Sequence, residues 1–376
     1  MGGGSDASGA YAGRLDIFNN VCYNWGHRAT DGGAMEVNFV NNYYRVGPAD
    51  YQSKLFLLQI EGDLKGTQAA YVSGNVRDER SGSLTYDREG DTYDSQITSS
   101  RTTPVTWDLF VSSPFFPSYA EIETAEDAYK SVMSDFGANQ PCQDEHDQRM
   151  LQETLNRTYT YVGSRSGIKG QIDNETDITK YSNGIEIYEE TSWADDYDSD
   201  QNGLPQWWEQ ITGISNPNQY TTDGYTALED YLNWLAQPHI MLKQGAETTI
   251  DLTGYFAGYT NSPSFTVSNN GSAVTATVSG SSLVVKANSA QAITSVDMTV
   301  RDSEGSTYTR RLNIAVTDAA TAISKPLAID DIATCDVFTT AGIKVGTSLS
   351  GLPQGIYVVK AVDKLGKQRS ARVLVR

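Results

Sequence analysis

Over the first hundred residues, apolar and polar positions alternate in short bursts, the period-two pattern of half-buried strands. Leu15-Asp-Ile-Phe-Asn-Asn-Val-Cys-Tyr-Asn24 and Glu36-Val-Asn-Phe-Val-Asn-Asn-Tyr-Tyr44 each run as an alternating strand into an asparagine pair. Asn20 and Asn42 stand 22 positions apart, and Ala70-Tyr-Val-Ser-Gly-Asn75 again ends on asparagine. A period in the low twenties with an asparagine at each corner predicts coils of a right-handed parallel β-helix. In such a stack a side-chain amide bonds its own bent backbone and the identical asparagine one coil away. With three units, an antiparallel meander remains the alternative.

The pattern changes from Pro114. Thr124 to Phe136 reads as a helix, with Thr124 and Asp127 as a capping pair, Ala128, Val132 and Phe136 as the apolar stripe and Gly137 as the stop. A second helix is expected from Asp144 to Leu155, with Met150 and Leu151 on its apolar side, and residues 156–190 read as a polar wrapping loop. Helical pattern resumes at Trp207-Trp-Glu-Gln-Ile and at Leu228 to Leu235. After Pro238 come short alternating strands at Val274 to Val278, Leu283 to Val285, Val296 to Val300 and Leu312 to Val316. With turns at Ser279-Gly280 and Asp302 to Gly305, these predict an immunoglobulin-like β-sandwich. From Lys325 onward eight Lys and Arg face four Asp, a reversal of charge that marks a separate small β module. The expected organisation is therefore mainly β. Late coils of a β-helix fill 1–115, a helical and loop wrap 116–190, an acidic loop with helices 191–240, the sandwich 241–320 and the C-terminal domain 325–376.

Composition narrows the function classes. Across 376 residues, 47 acidic against 28 basic side chains give a net charge of −19, which argues against nucleic acid, whose phosphates are held by clustered Lys and Arg. No apolar run is long enough to span a bilayer. Cys22, Cys142 and Cys335 are distant and odd in number, supporting neither a disulfide framework nor a zinc cluster. Met1 to Ala10 carries no basic and apolar leader pattern.

The sharpest chemical motif is Asp198-Ser-Asp200-Gln-Asn202-Gly203-Leu-Pro-Gln-Trp-Trp-Glu209, which fits the calcium-loop pattern at every defined position. Calcium requires six to eight hard oxygens. Asp198, Asp200 and Asn202 would offer side-chain oxygens, Leu204 its carbonyl after the turn at Gly203, and Glu209 a closing carboxylate. Pro205 stands where a paired EF-hand carries a β-branched residue, so a solitary, structural loop is expected. It follows an acidic run of Glu186, Glu189, Glu190, Asp195 and Asp196. A second group, Arg14, His27, Arg28 and Arg45, concentrates cations on the early coils, where loops at one edge would line a groove for a linear, carboxylate-bearing polymer. His27, His146 and His239 are the only histidines, and no G-x-S-x-G, P-loop or G-x-G-x-x-G fingerprint occurs. A glycosidase pair among the 47 carboxylates stays open.

Gly13 to Gly26 and Thr30 to Tyr44 resemble the late coils of family 1 pectate lyases, and more narrowly the pectate lyase-like proteins of Bacteroidetes. The helical stretch Thr124 to Leu155 and the Asp198 to Glu209 loop extend the resemblance to roughly residues 10–240. Ala341-Gly-Ile-Lys-Val and Leu352 to Lys360 resemble a type IX secretion sorting domain. The resemblance implies calcium-dependent β-elimination of polygalacturonate, an arginine acting as base, and a secreted or surface-displayed monomer handled by secretion machinery. The family's catalytic carboxylates and base arginine sit on coils that precede the strand matching Leu15 to Asn24, so no catalytic residue carries over and the chain reads as the C-terminal part of a longer lyase. Two readings from different classes follow: a lyase, or a non-catalytic carbohydrate-binding or surface-displayed protein. Another β-helix enzyme, a polygalacturonase or pectin esterase, fits the fold without the matching segments.

Overall fold

A computed structural model describes residues 4–49, 54–59, 65–87, 97–99, 105–140, 143–178, 197–318, 332–339, 343–347, 352–353, 355–363 and 368–375. Among the described residues the protein is mainly β, with 24 strands and four α-helices. After a short hairpin of β1 (Gly4–Ser5) and β2 (Tyr11–Ala12) come β3 (Arg14–Phe18), β4 (Val21–Tyr23) and β5 (Thr30–Gly32). The same triplet recurs as β6 (Glu36–Val40), β7 (Tyr43–Arg45) and β8 (Phe56–Leu58). It continues as β9 (Ala69–Ser73), β10 (Asn75–Asp78), β11 (Leu84–Asp87), β12 (Ile97–Ser99) and β13 (Phe110–Val111). Each strand pairs with its equivalent in the next triplet, giving sheets ordered β13-β9-β6-β3, β11-β10-β7-β4 and β12-β8-β5. All these pairs are parallel except β10 with β11. Arg14 lies beside Glu36, and Glu36 beside Ala69.

Strand alternation builds the core. Val37 and Phe39 of β6 are fully buried with Leu55, Phe56, Leu58, Val46 and Ala70. The turns after β3, β6 and β9 place Asn19, Asn41 and Gly74 at positive φ (51°, 50° and 70°), the left-handed region that asparagine and glycine tolerate best. The following asparagines form a directional ladder. Asn20 donates from its backbone N and Nδ2 to Asn42 Oδ1 at 3.0 and 2.9 Å, and Asn42 donates likewise to Asn75 Oδ1 at 2.9 and 2.8 Å. Asn75 donates in turn to the two carboxylate oxygens of Asp87, which ends the series because a carboxylate only accepts.

The wrap covers two of these sheets. Asn38 accepts from Phe115 N at 3.1 Å and donates to Phe116 O at 3.2 Å, while Asn19 and Asn41 both donate to Glu123 O, at 2.9 and 2.8 Å. Helix α1 (Ala125–Ser134) begins at the Thr124 cap, whose side chain accepts from Asp127 N. It stacks Tyr129 on Tyr43 with ring centroids 4.6 Å apart. Its buried face runs through Ala125, Ala128, Lys130, Ser131, Met133 and Ser134; of the expected apolar stripe Ala128 is buried while Val132 and Phe136 are half-buried, and Lys130 and Ser134 are covered because they meet Asp302 and Gly258 of the sandwich. Helix α2 (Glu145–Asn156) starts at Asp144 as expected, but Met150 is exposed while Glu153 and Thr154 are buried.

Helices α3 (Gln206–Thr212) and α4 (Ala227–Ala236) pack Trp207, Trp208, Tyr231 and Trp234 into one aromatic cluster that also takes in Ala315. Two sheets follow. β14 (His239–Leu242), β20 (Thr307–Val316), β19 (Ala292–Arg301) and β16 (Ser264–Asn269) form one; β15 (Glu247–Asp251), β18 (Ser282–Ala287) and β17 (Val274–Ser279) form the other. Their inward faces share a core around Leu252, Leu283, Val285, Val296, Met298, Leu312 and Ile314. All four strands expected after Pro238 fall within β17 to β20. A division at 240/241 cuts through β14, which pairs parallel with β20.

The sandwich meets α1 through a buried ionic latch. Lys130 Nζ lies 2.6 Å from Asp302 Oδ2 and 2.9 Å from Ser306 Oγ, and also contacts Glu304. Arg310 donates to the carbonyl oxygens of Ser134 and Tyr255 at 2.7 and 2.9 Å and to Asp135 at 2.6 Å. Gly258 approaches so closely that a Cβ there would sit 2.2 Å from the Lys130 carbonyl oxygen. The remaining strands, β21 (Ile332–Thr339), β22 (Lys344–Gly346), β23 (Gly355–Asp363) and β24 (Gln368–Val375), form one antiparallel sheet in the order β22-β21-β23-β24.

Candidate functional site

The Asp198 to Glu209 segment folds as a tight loop leading into α3. Asp198 turns its carboxylate inward onto the backbone N–H groups of Asn202 (3.1 Å) and Gly203 (2.9 Å). Positive φ at Gln201 (57°) and Gly203 (93°) makes the turn. Asn202 stands at its centre. Its Oδ1 accepts from Leu204 N at 2.7 Å, and its Nδ2 lies 2.8 Å from Asp200 Oδ2, 2.9 Å from Glu209 Oε1 and 3.0 Å from the Ser215 carbonyl oxygen. Three acceptors thus converge on an amide with two hydrogens, an arrangement of hard oxygens that suits a cation. Glu209 also accepts from Gln206 Nε2 at 3.1 Å. Leu204 buries its side chain completely against the α3–α4 aromatic cluster.

The five residues of the motif are therefore divided. Asp200, Asn202 and Glu209 meet at one point, while Asp198 shapes the turn and Leu204 anchors it. Among the described residues no three His, Cys, Asp or Glu side chains gather as a ready metal cluster; the oxygen set here depends on an amide and a main-chain carbonyl as well. Ser215 lies outside the motif, and only the fold back after Gly213 (φ 72°) brings it in. The acidic residues Glu186, Glu189, Glu190, Asp195 and Asp196 lie outside the described residues, as does Cys142.

The four candidate binding residues Arg14, His27, Arg28 and Arg45 are not gathered. Arg14, on the outward side of β3, pairs with Glu36 Oε2 at 2.6 Å and sets its guanidinium 4.5 Å above the Phe116 ring. Arg45, on a different sheet, is enclosed: it bonds Asp78 at 2.5 Å and the helix-end carbonyls of Thr154 and Leu155 at 2.8 and 3.0 Å. His27 and Arg28 are exposed on the loop between β4 and β5, with Arg28 Nε 3.6 Å from Asp31. The buried carboxylate that organises this region, Asp78, escapes sequence reasoning. It accepts from Tyr43, Arg45 and Arg157, the last of these 79 residues away. Cys22 and Cys335 are free thiols, and burial pushes the Cys22 pKa up to about 11, which keeps it protonated and inert near neutrality.

No protein-family model matches the chain, and no curated protein matches it. Among solved structures, the chain has a likeness to the Bacteroides ovatus mixed-linkage glucan utilization locus SGBP-B in complex with a mixed-linkage heptasaccharide, at 17% identity and a TM-score of 0.17. The match covers 37% of this chain and 43% of that one, so the chain spans less than half of that protein's length. No helix among the described residues is long and apolar enough to cross a membrane.

Proposed function

We propose that this chain is a pectate lyase-like, parallel β-helix protein that binds acidic polysaccharide without cleaving it, and that its Asp198 to Glu209 loop holds a structural calcium ion. The common strand register and the asparagine ladder support the β-helix reading. Two sheets around one core support the immunoglobulin-like reading of the sandwich. The sorting role of the C-terminal sheet and a secreted or surface location rest on the sequence resemblance.

One observation carries the choice of binder over lyase: the partners that hold Arg14 and Arg45. The resemblance implies an arginine that takes the C5 proton of the uronate. Arg45 is committed to Asp78 and two carbonyls, and Arg14 is held between Glu36 and Phe116. His27 and Arg28 remain at the surface, where a guanidinium and an imidazole N–H can donate to carboxylates. The lyase reading stays as the second one, favoured by the matching segments Gly13 to Gly26 and Thr30 to Tyr44. Incubation with polygalacturonate and calcium separates them. Co-sedimentation without growth of unsaturated-uronate absorbance is the expected result, and steady accumulation of that absorbance would make the chain a lyase. Joint replacement of His27 and Arg28 by alanine is expected to weaken retention on a polygalacturonate column by threefold or more, since exposed cation contacts are worth about 0–1 kcal/mol each. Arg45→Ala should instead lower the melting temperature.

For the loop, Asp200, Asn202, Glu209 and the Ser215 carbonyl would hold the ion. When bound, calcium supplies a compact charge that offsets the carboxylates at the start of α3. Trp207 and Trp208 lie directly behind and report on it. Calcium at a hundredfold excess over its Kd should stabilise the fold by about 2.7 kcal/mol, with a change in tryptophan emission. Glu209→Gln should abolish both effects. A melt indifferent to excess chelator, from protein purified in calcium, would remove the ion from the proposal.

A further inference from the structure

Asparagine followed by glycine is a chemical weak point as well as a turn signal. Asparagine is among the thermolabile side chains, and a glycine after it has no side chain to keep its backbone nitrogen away from the carboxamide. The chain has three such pairs: Asn183-Gly184, which lies outside the described residues, Asn202-Gly203 and Asn270-Gly271. The last two stand in opposite surroundings.

At Asn202 every group the reaction needs is engaged. The Gly203 N–H donates to Asp198 Oδ2 at 2.9 Å, the Asn202 carboxamide oxygen accepts from Leu204 N at 2.7 Å, and its nitrogen faces Asp200, Glu209 and the Ser215 carbonyl. The side chain cannot turn onto the glycine nitrogen without giving up these bonds. Asn270 is exposed and follows β16, on the turn that crosses to β17 in the other sheet. Its own N–H donates to Ser295 O at 3.1 Å, which protects Asn269 just before it, and its Nδ2 donates to Ser295 Oγ at 3.0 Å. The Gly271 N–H, by contrast, donates to no group among the described residues. Packing keeps the susceptible pair in place, since a Cβ at Gly271 would sit 2.9 Å from Thr294 Oγ1.

We propose that Asn270 is a site of spontaneous deamidation, with water as the co-reactant, and that the fold leaves it open while locking Asn202. The Gly271 nitrogen gives its proton to solvent base and attacks Asn270 Cγ. The N–Cγ bond forms, the Cγ–Nδ2 bond breaks, and the side-chain amide leaves as ammonia with a proton returned from solvent. Water then opens the five-membered imide at Cγ, giving aspartate, or at the main-chain carbonyl carbon of the same residue, giving isoaspartate. Either product puts a carboxylate where the Ser295 hydroxyl now receives an N–H. The Arg311 hydrogen bond holds the Asp297 pKa below 3.8, burial opposes it, and the Asn270 amide adds to the lowering. Deamidation removes that last contribution and sets two like charges together. Isoaspartate also lengthens the backbone where the chain passes from one sheet to the other.

Incubation of the whole chain in ammonia-free buffer, folded and in unfolding urea, followed by peptide mapping, tests the proposal. The Asn270 peptide should gain one mass unit and resolve into aspartate and isoaspartate products, with folding slowing it less than tenfold, as for a turn that opens at little cost. The Asn202 peptide should be slowed tenfold or more by folding, about 1.4 kcal/mol of protection, which a hydrogen bond to a carboxylate supplies. Suppression of the Asn270 reaction by tenfold or more on folding overturns the proposal, as does an Asn202 peptide that converts as fast as the Asn270 one. Asn270→Asp makes the linear product directly. It should abolish the mass gain in that peptide and raise the Asp297 pKa, followed by NMR; a gain that persists would move the reaction to Asn269 and equally overturn the assignment.

Discussion

Lys130→Met is expected to lower the stability of the folded chain by about 3–5 kcal/mol, the cost of stripping one partner from a buried ion pair. Among the described residues its ammonium group is the only side-chain cation held by Asp302, whose side chain has no solvent exposure, and the same nitrogen serves Ser306 and Glu304. Among the described residues, loss of the lysine leaves Asp302 with the backbone N–H groups of Glu304 and Ser306, both at 3.0 Å. Urea unfolding followed by tryptophan emission measures the effect, and adding Asp302→Asn to Lys130→Met should recover part of the loss. A single variant within about 0.5 kcal/mol of the parent, the range of an ordinary surface change, would show that the latch contributes nothing.

The pair also sets a pH dependence. Burial by itself would raise the Asp302 pKa, but the Lys130 ammonium and the two N–H donors outweigh it and hold the value below the ordinary 3.8. A depressed folded-state pKa means that this stabilisation is present above pH 3.8 and is lost as pH falls through the folded value. On the lysine, burial opposes the charge, and the hydrogen bonds it donates to Asp302 and Glu304 more than compensate, so its pKa is raised above 10.5. That contribution is complete below 10.5 and disappears as pH rises through the higher folded value. The parent should therefore lose more stability than Lys130→Met on acidification below pH 3.8.

Asn75→Leu should be comparably damaging. This fully buried side chain accepts two hydrogen bonds from Asn42 and donates to Phe39 O at 2.9 Å and to Asp87. Leucine would strand the Asn42 amide, the Phe39 carbonyl and a carboxylate oxygen, each unsatisfied group costing about 1–3 kcal/mol, for a total above about 3 kcal/mol. Asn20→Leu, at the exposed rung, should cost less than about 1 kcal/mol. Equal losses at the two rungs, measured by thermal melts, would mean that the ladder is decoration on a stack held by its apolar core.

These cases also explain what could be read from the chain alone. The rungs were legible because Asn20 and Asn42 recur at the 22-residue spacing at which β3 and β6 pair in parallel, and strands β17 to β20 because alternation and turn residues are local signals. The Asp198 to Glu209 spacing was legible for the same reason, and Ser215 was not, since it joins the loop only after α3 has turned the chain back. Arg45 carries no mark in its neighbourhood: its partners are Asp78, 33 positions on, and carbonyls 109 and 110 positions on. Lys130 defeats helical periodicity in the same way. A lysine predicts a solvated face, and only the Asp302 carboxylate, 172 residues distant, makes burial favourable.

The parallel pairing of β14 with β20 has a consequence for how this protein could be taken apart. In chain order β14 follows α4 directly, and Asn313 of β20 donates its backbone N–H to Pro238 O at 2.7 Å and its side-chain amide to Trp234 O at 3.0 Å. The junction between helices and sandwich is thus stitched into a sheet, not strung as a tether. Protease should find no early cleavage point between Gln237 and Lys243, and a gene fusion that borrows the sandwich must begin upstream of the tryptophan helices or inherit a raw strand edge.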